Sequence, residues 1–158
     1  MTINDIKING KAIYTTKGAA REYGRVGCNF YTGCPNEGSY CYLKRGAPGK
    51  LLGGNVVQLK KCFKGEVDAI EKFENDILKY QDILRQTGVF FSFTTDPMIP
   101  ETRQLTDMAM WLCVHNGIPV KILTKDTTCF NSQYIWSHSF DEARRLVSFG
   151  FTLTGRDD

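Results

Sequence analysis

Three of the chain's six cysteines fall between positions 28 and 41, in the segment Cys28-Asn29-Phe30-Tyr31-Thr32-Gly33-Cys34-Pro35-Asn36-Glu37-Gly38-Ser39-Tyr40-Cys41-Tyr42. Thiolates clustered on one loop suit a soft metal or an iron–sulfur centre, because several sulfur ligands must converge on a small inorganic core. Zinc is one reading: Cys28, Cys34, Cys41 and Cys62 together would supply a tetrahedral four-sulfur site. Zinc sites usually carry cysteine pairs two to four residues apart, and this chain has none. Cys28 also has a plain packing reading as a strand residue in the core, where free cysteine is common. Cys113 falls on the apolar face of a helix and reads as packing. Cys129 sits in a polar connection and receives no role.

The stretch Tyr31-Thr32-Gly33-Cys34 through Tyr40-Cys41-Tyr42 resembles the cluster loop of radical SAM enzymes, in particular the branch related to spore photoproduct lyase. That branch reads Tyr-Thr-Gly-Cys-x-x-x-Cys-x-Tyr-Cys-Tyr. Cys34 and Cys41 occupy the outer ligand positions, and Gly38 stands at the middle one. The resemblance implies a 4Fe–4S cluster held by three thiolates, with S-adenosylmethionine chelating the open iron as the source of a 5′-deoxyadenosyl radical. It implies that Tyr40 lies against the adenine. The segment Ser92-Phe93-Thr94-Thr95-Asp96-Pro97 resembles the family's second-strand segment, whose polar groups face S-adenosylmethionine. Ser92, Thr94, Thr95 and Asp96 are therefore expected cofactor contacts. Lys125, after the third strand, is a further expected cofactor contact, and Arg156, after the fourth, falls at the equivalent carboxyl end; each is placed to pair with a carboxylate.

With Gly38 in the ligand position, two thiolates stay in register, and Cys28 is the candidate third metal ligand beside Cys34 and Cys41. The expectation is an iron–sulfur protein with an impaired cluster site. The alternatives are a degenerate, non-catalytic relative acting as a structural or interaction module, and a zinc-binding protein. DNA repair by some relatives makes nucleic acid a partner by analogy alone.

A chain of 158 residues supports one domain, 1–158. The net charge of +3, from 20 basic and 17 acidic residues, is too small to argue for nucleic acid by itself. The start, Met1-Thr2-Ile3-Asn4-Asp5, carries no basic run leading into an apolar core, and no apolar run approaches the roughly 20 residues of a bilayer span. The expectation is a cytoplasmic protein that does not engage membranes. His115 sits near a helix end and His138 has no visible partner, so neither supports a hydrolytic dyad. The phosphate-binding and dinucleotide glycine motifs are absent, as is the zinc-protease helix motif.

Around the cysteine loop, strand and helix patterns alternate. Strands are expected at Val26–Tyr31, Val89–Thr94, Val120–Leu123 and Ser148–Thr154. A helix over Gly65–Gln86 should bury Val67, Ile70, Phe73, Ile77, Tyr80 and Leu84, and a second over Thr102–Asn116 should bury Leu105, Met108, Ala109, Leu112 and Cys113. A helical patch is expected at Phe140–Leu146. The fold class is α/β, with the four strands parallel and in sequence order. By the resemblance this is the front part of a partial (β/α) barrel, an incomplete radical SAM-like core of about four strands. Its last strand would leave an exposed sheet edge, through which a homodimer could form.

Overall fold

The computed structural model describes residues 5–35, 54–128 and 145–152. The chain opens with β1 (Ile13–Thr15) and a short 3-10 helix over Gly18–Glu22, then β2 (Val26–Cys28), β3 (Tyr31–Thr32) and β4 (Gln58–Leu59). Helices α1 (Glu66–Lys79) and α2 (Gln81–Thr87) lead to β5 (Val89–Phe91), and α3 (Pro100–His115) leads to β6 (Val120–Thr124) and β7 (Val147–Phe151). The fold is mixed α/β. One sheet has the order β1-β2-β5-β6-β7, and β3 and β4 form a small second sheet.

The strands β2, β5, β6 and β7 pair in parallel, in sequence order, with Gly27 opposite Phe90, Val89 opposite Val120, and Val120 opposite Val147. β1, which the sequence pattern did not reveal, adds antiparallel to β2. Side chains alternate across a strand. Val26, Cys28, Val89, Phe91, Val120 and Ile122 belong to the main hydrophobic core with Ala69, Phe73 and Ile77 of α1, Leu84 of α2, and Leu105, Ala109 and Cys113 of α3.

Several boundaries differ from the sequence expectation. The first strand stops at Cys28, and Tyr31 pairs instead with Leu59 in the small sheet. β5 ends at Phe91, because Ser92 to Asp96 turn away to hydrogen-bond the neighbouring loops. The expected single helix breaks at Tyr80, whose backbone lies at φ −113°, ψ 20°. The redirected α2 buries Leu84, and Gln81 and Arg85 fasten it to the side-chain and main-chain oxygens of Asn116. Val67 is 71% exposed, since the buried stripe of α1 is Ala69, Phe73, Asp76 and Ile77. On α3, Met108 is turned outward and Met110 is buried in its stead. The helical patch expected at Phe140–Leu146 lies, except for Arg145 and Leu146, outside the described residues.

A charged residue inside that helical stripe has a structural purpose. Asp76 is buried and accepts the backbone N–H groups of Lys11 (3.2 Å), Ala12 (2.7 Å) and Ile13 (2.9 Å). A Cβ on Gly10 would overlap this carboxylate, so the tight approach requires glycine. The contact pins the start of β1 to α1. Asp76→Ala leaves two buried donors unpaired and should cost about 3 kcal/mol. A lower urea midpoint with an unchanged denaturant slope would record that loss.

Candidate functional site

In an open parallel sheet, ligands gather where loops leave the carboxyl ends of the strands. Here the loops after β2, β5 and β6 meet at that end and are hydrogen-bonded to one another. Asn29, just past β2, donates from Nδ2 to the Tyr14 hydroxyl (2.6 Å) and accepts the Phe93 N–H (2.7 Å). Phe30 turns into the core against Phe63, Phe73 and Phe91. Tyr31 donates its hydroxyl to Glu66 at the start of α1 (2.6 Å).

Gly33 follows at φ +80°, a left-handed conformation, and a Cβ there would overlap the carbonyl oxygen of Val56. This packing brings the Cys34 N–H to the Gly54 carbonyl (3.0 Å). The Gly-Cys step of the motif is thus fixed by backbone sterics.

The polar residues after β5 hold that segment in place. Thr94 donates to the Tyr31 carbonyl and Thr95 to the Gly33 carbonyl, while Ser92 donates to the Thr95 carbonyl. Asp96 accepts the Met98 N–H (3.0 Å) and the Thr124 hydroxyl (2.6 Å) on one oxygen and the Lys125 N–H (2.9 Å) on the other. Arg103 extends the lattice, donating to the Met98 carbonyl, Asp126 and Thr128. Burial acts to raise the Asp126 carboxyl, yet the Thr128 and Arg103 hydrogen bonds outweigh it and hold it below its usual range.

Of the residues expected to form the site, Cys34, Ser92, Thr94, Thr95, Asp96 and Lys125 are therefore brought to one end of the sheet. The three hydroxyls point at backbone carbonyls, and Lys125 enters this network through its backbone N–H. Tyr40, Cys41, Gly38, Cys129, His138 and Arg156 lie outside the described residues.

Cys28 goes elsewhere. It is fully buried in the core, where burial, with Cys113 nearby, pushes its thiol well above the ordinary range despite the opposing charge of Lys60. Burial likewise raises Cys113. Among the described residues no three histidine, cysteine or acidic side chains converge as a metal site. Among the described residues the thiols do not form a three-thiolate set. Cys34 is the described thiol at the crevice, Gly38 carries no donor, and Cys28 is held as a neutral core thiol.

Beside the loops, a cavity of about 750 Å³ opens, lined in part by Ser92 and Thr94. Tyr14, Tyr23, Asn29 and Lys60 also line it. Sequence reasoning missed all four, because an isolated tyrosine, asparagine or lysine carries no spacing signal. No described helix is long and apolar enough to cross a membrane. Compared with family models, curated proteins and solved structures, the chain matches none.

Two outcomes follow from burial at this end. Burial first, and then donation to Glu66, push the Tyr31 phenol well above its ordinary value of 10.0. The unfolded chain releases that proton near pH 10 and the folded chain retains it, so the linked stability is intact below roughly pH 10 and falls as pH rises beyond it. Tyr31→Phe should flatten the fall in urea midpoint between roughly pH 9 and pH 11. The thiols should also separate by reactivity. Under native conditions a thiol reagent should modify exposed Cys62 and spare Cys28 and Cys113 until the protein unfolds, as peptide mapping would register.

Proposed function

We propose that the chain is a radical SAM-like protein, the front part of a partial (β/α) barrel whose 4Fe–4S site is impaired. The observation that carries this reading is the clamp formed by Thr94 and Thr95 on the Tyr31–Cys34 segment. It holds the Tyr31–Cys34 segment at the carboxyl ends of parallel strands, the end at which the resemblance would put a cluster loop, and so supports the reading. The turn Ser92 to Asp96 adjoins that loop and a cavity of about 750 Å³, room enough for S-adenosylmethionine. By the resemblance, Cys34 and Cys41 are the retained metal ligands and Tyr40 faces the adenine.

A second reading, a non-catalytic relative, draws on the burial of Cys28 and the glycine at position 38, which together leave the loop short of a third thiolate. Anaerobic reconstitution separates the two. The unmodified protein should retain little iron and sulfide, and Gly38→Cys should raise both toward about four per chain. S-adenosylmethionine should bind the Gly38→Cys protein in calorimetry. If that variant gains no iron and binds no S-adenosylmethionine, the non-catalytic reading replaces the first. If the unmodified protein already holds about four irons and Cys28→Ala abolishes them, Cys28 is the third ligand and the site is intact.

A further inference from the structure

The face of the sheet turned away from the three helices carries a different chemistry from the cysteine loop. Tyr14, Phe90 and Leu123 rise from β1, β5 and β6 into the cavity of about 750 Å³, and Tyr23 and Phe93 wall it. Phe90 and Phe93 lie 4.4 Å apart, and Tyr23 stands 6.0 Å from the first ring and 6.5 Å from the second. Tyr23 is 53% exposed, a large aromatic ring left half open at a cavity mouth. Gly27 lies against Phe93 and Tyr14, where a Cβ would stand 3.0 Å from the Phe93 ring, so both side chains pack closely over β2.

Two ammonium groups complete the lining. Lys60 places its Nζ 6.0 Å from the Tyr14 ring centroid, and Lys17 lies on the exposed rim. Among the described residues neither forms a salt bridge with a carboxylate. The hydroxyls of Ser92 and Thr94 donate to backbone carbonyls, as described above. The half-open ring of Tyr23, the edges of the rings packed behind it and the two cations are then what the cavity offers a guest.

We propose that this face binds a planar aromatic ring bearing an anionic group, the ring against Tyr23, Phe90 and Phe93 and the anion at Lys60, with Lys17 assisting from the rim. Ring stacking and dispersion supply affinity. A half-buried ammonium supplies a charge-assisted hydrogen bond that selects a phosphate or carboxylate substituent. The cavity size suits a ligand of this class. The inference needs neither a cluster nor a cysteine at position 38, although the cavity is the one offered above to S-adenosylmethionine, so the two ligands would compete for it.

Calorimetry with 2-naphthyl phosphate, 2-naphthol and inorganic phosphate tests it on the whole chain. The naphthyl phosphate should bind about tenfold tighter than 2-naphthol, the size expected of a hydrogen bond to a charged group, and inorganic phosphate alone should not register. Lys60→Met should erase the advantage of the phosphate while leaving 2-naphthol affinity within about twofold. Tyr23→Ala, at a half-exposed position, should weaken both ring ligands. Circular dichroism checks that each variant is folded. Equal affinity for the two ring ligands, an advantage that survives Lys60→Met combined with Lys17→Met, or no binding by the folded wild-type protein would overturn the proposal. Iron content and S-adenosylmethionine binding are read separately, so failure of either reading leaves the other standing.

Discussion

The carboxylate of Asp96 is the constraint on which the upper end of the molecule depends. Parallel strands end in backbone groups that their own ladder cannot satisfy, and buried groups of that kind need partners. Asp96 takes donors from its own turn at Met98 and from the end of β6 at Thr124 and Lys125. Thr94 and Thr95, on the same turn, take the carbonyls of the cysteine segment. Three loops that are distant in sequence thereby become one hydrogen-bonded unit. Each bond contributes about 1 kcal/mol net, but leaving its buried partner unmatched costs more. The turn after β5 consequently behaves as a hub, and the Tyr31–Gly33 segment is held by it.

This hub explains what was legible in the sequence and what was not. Val89-Phe90-Phe91 and Val120-Lys121-Ile122-Leu123 announced buried parallel strands because branched and aromatic residues run together between turn signals. The order of the four parallel strands followed from strand–helix alternation. The polar run Ser92 to Asp96 was located at a strand end, yet whether its side chains face a ligand or a backbone carbonyl depends on contacts about sixty positions away, as the Thr94–Tyr31 and Thr95–Gly33 bonds show. β1 and β4 escaped notice for another reason. Three and two residues are too few to display a period, and each exists because a partner strand or a distant acceptor such as Asp76 holds it. The break at Tyr80 was hidden too, since apolar residues continue at helical spacing straight through it.

The two faces of the sheet divide the chemistry. Helices cover one face with aliphatic and aromatic packing, so residues there are selected for volume and neutrality. On the other face, aromatic rings and lysines line an opening, and a short N-terminal segment forms part of its wall. Asn29 bridges the two regions. Its amide satisfies the Tyr14 hydroxyl in the cavity and the Phe93 N–H at the turn, so the cavity wall and the cysteine loop share one anchor.

Strand parity then decides the fate of Cys28. Successive residues of a strand point to opposite faces. Val26 is in the core, so Cys28, two positions on, is directed to the core as well, while Gly27 between them faces Tyr14 and Phe93. Shifting the register by one residue would reverse every side chain of β2 and turn the glycine position toward the helices instead of the valine, which the pairing of Gly27 with Phe90 opposes. For Cys28 to serve beside Cys34, the end of β2 would have to unpair from Ile13 and withdraw a buried thiol from its packing. β2 itself ends at Cys28, and the chain turns at Gly33, φ +80°, before Cys34. The thiol of Cys28 is thus held away from Cys34 by the same alternation that builds the core.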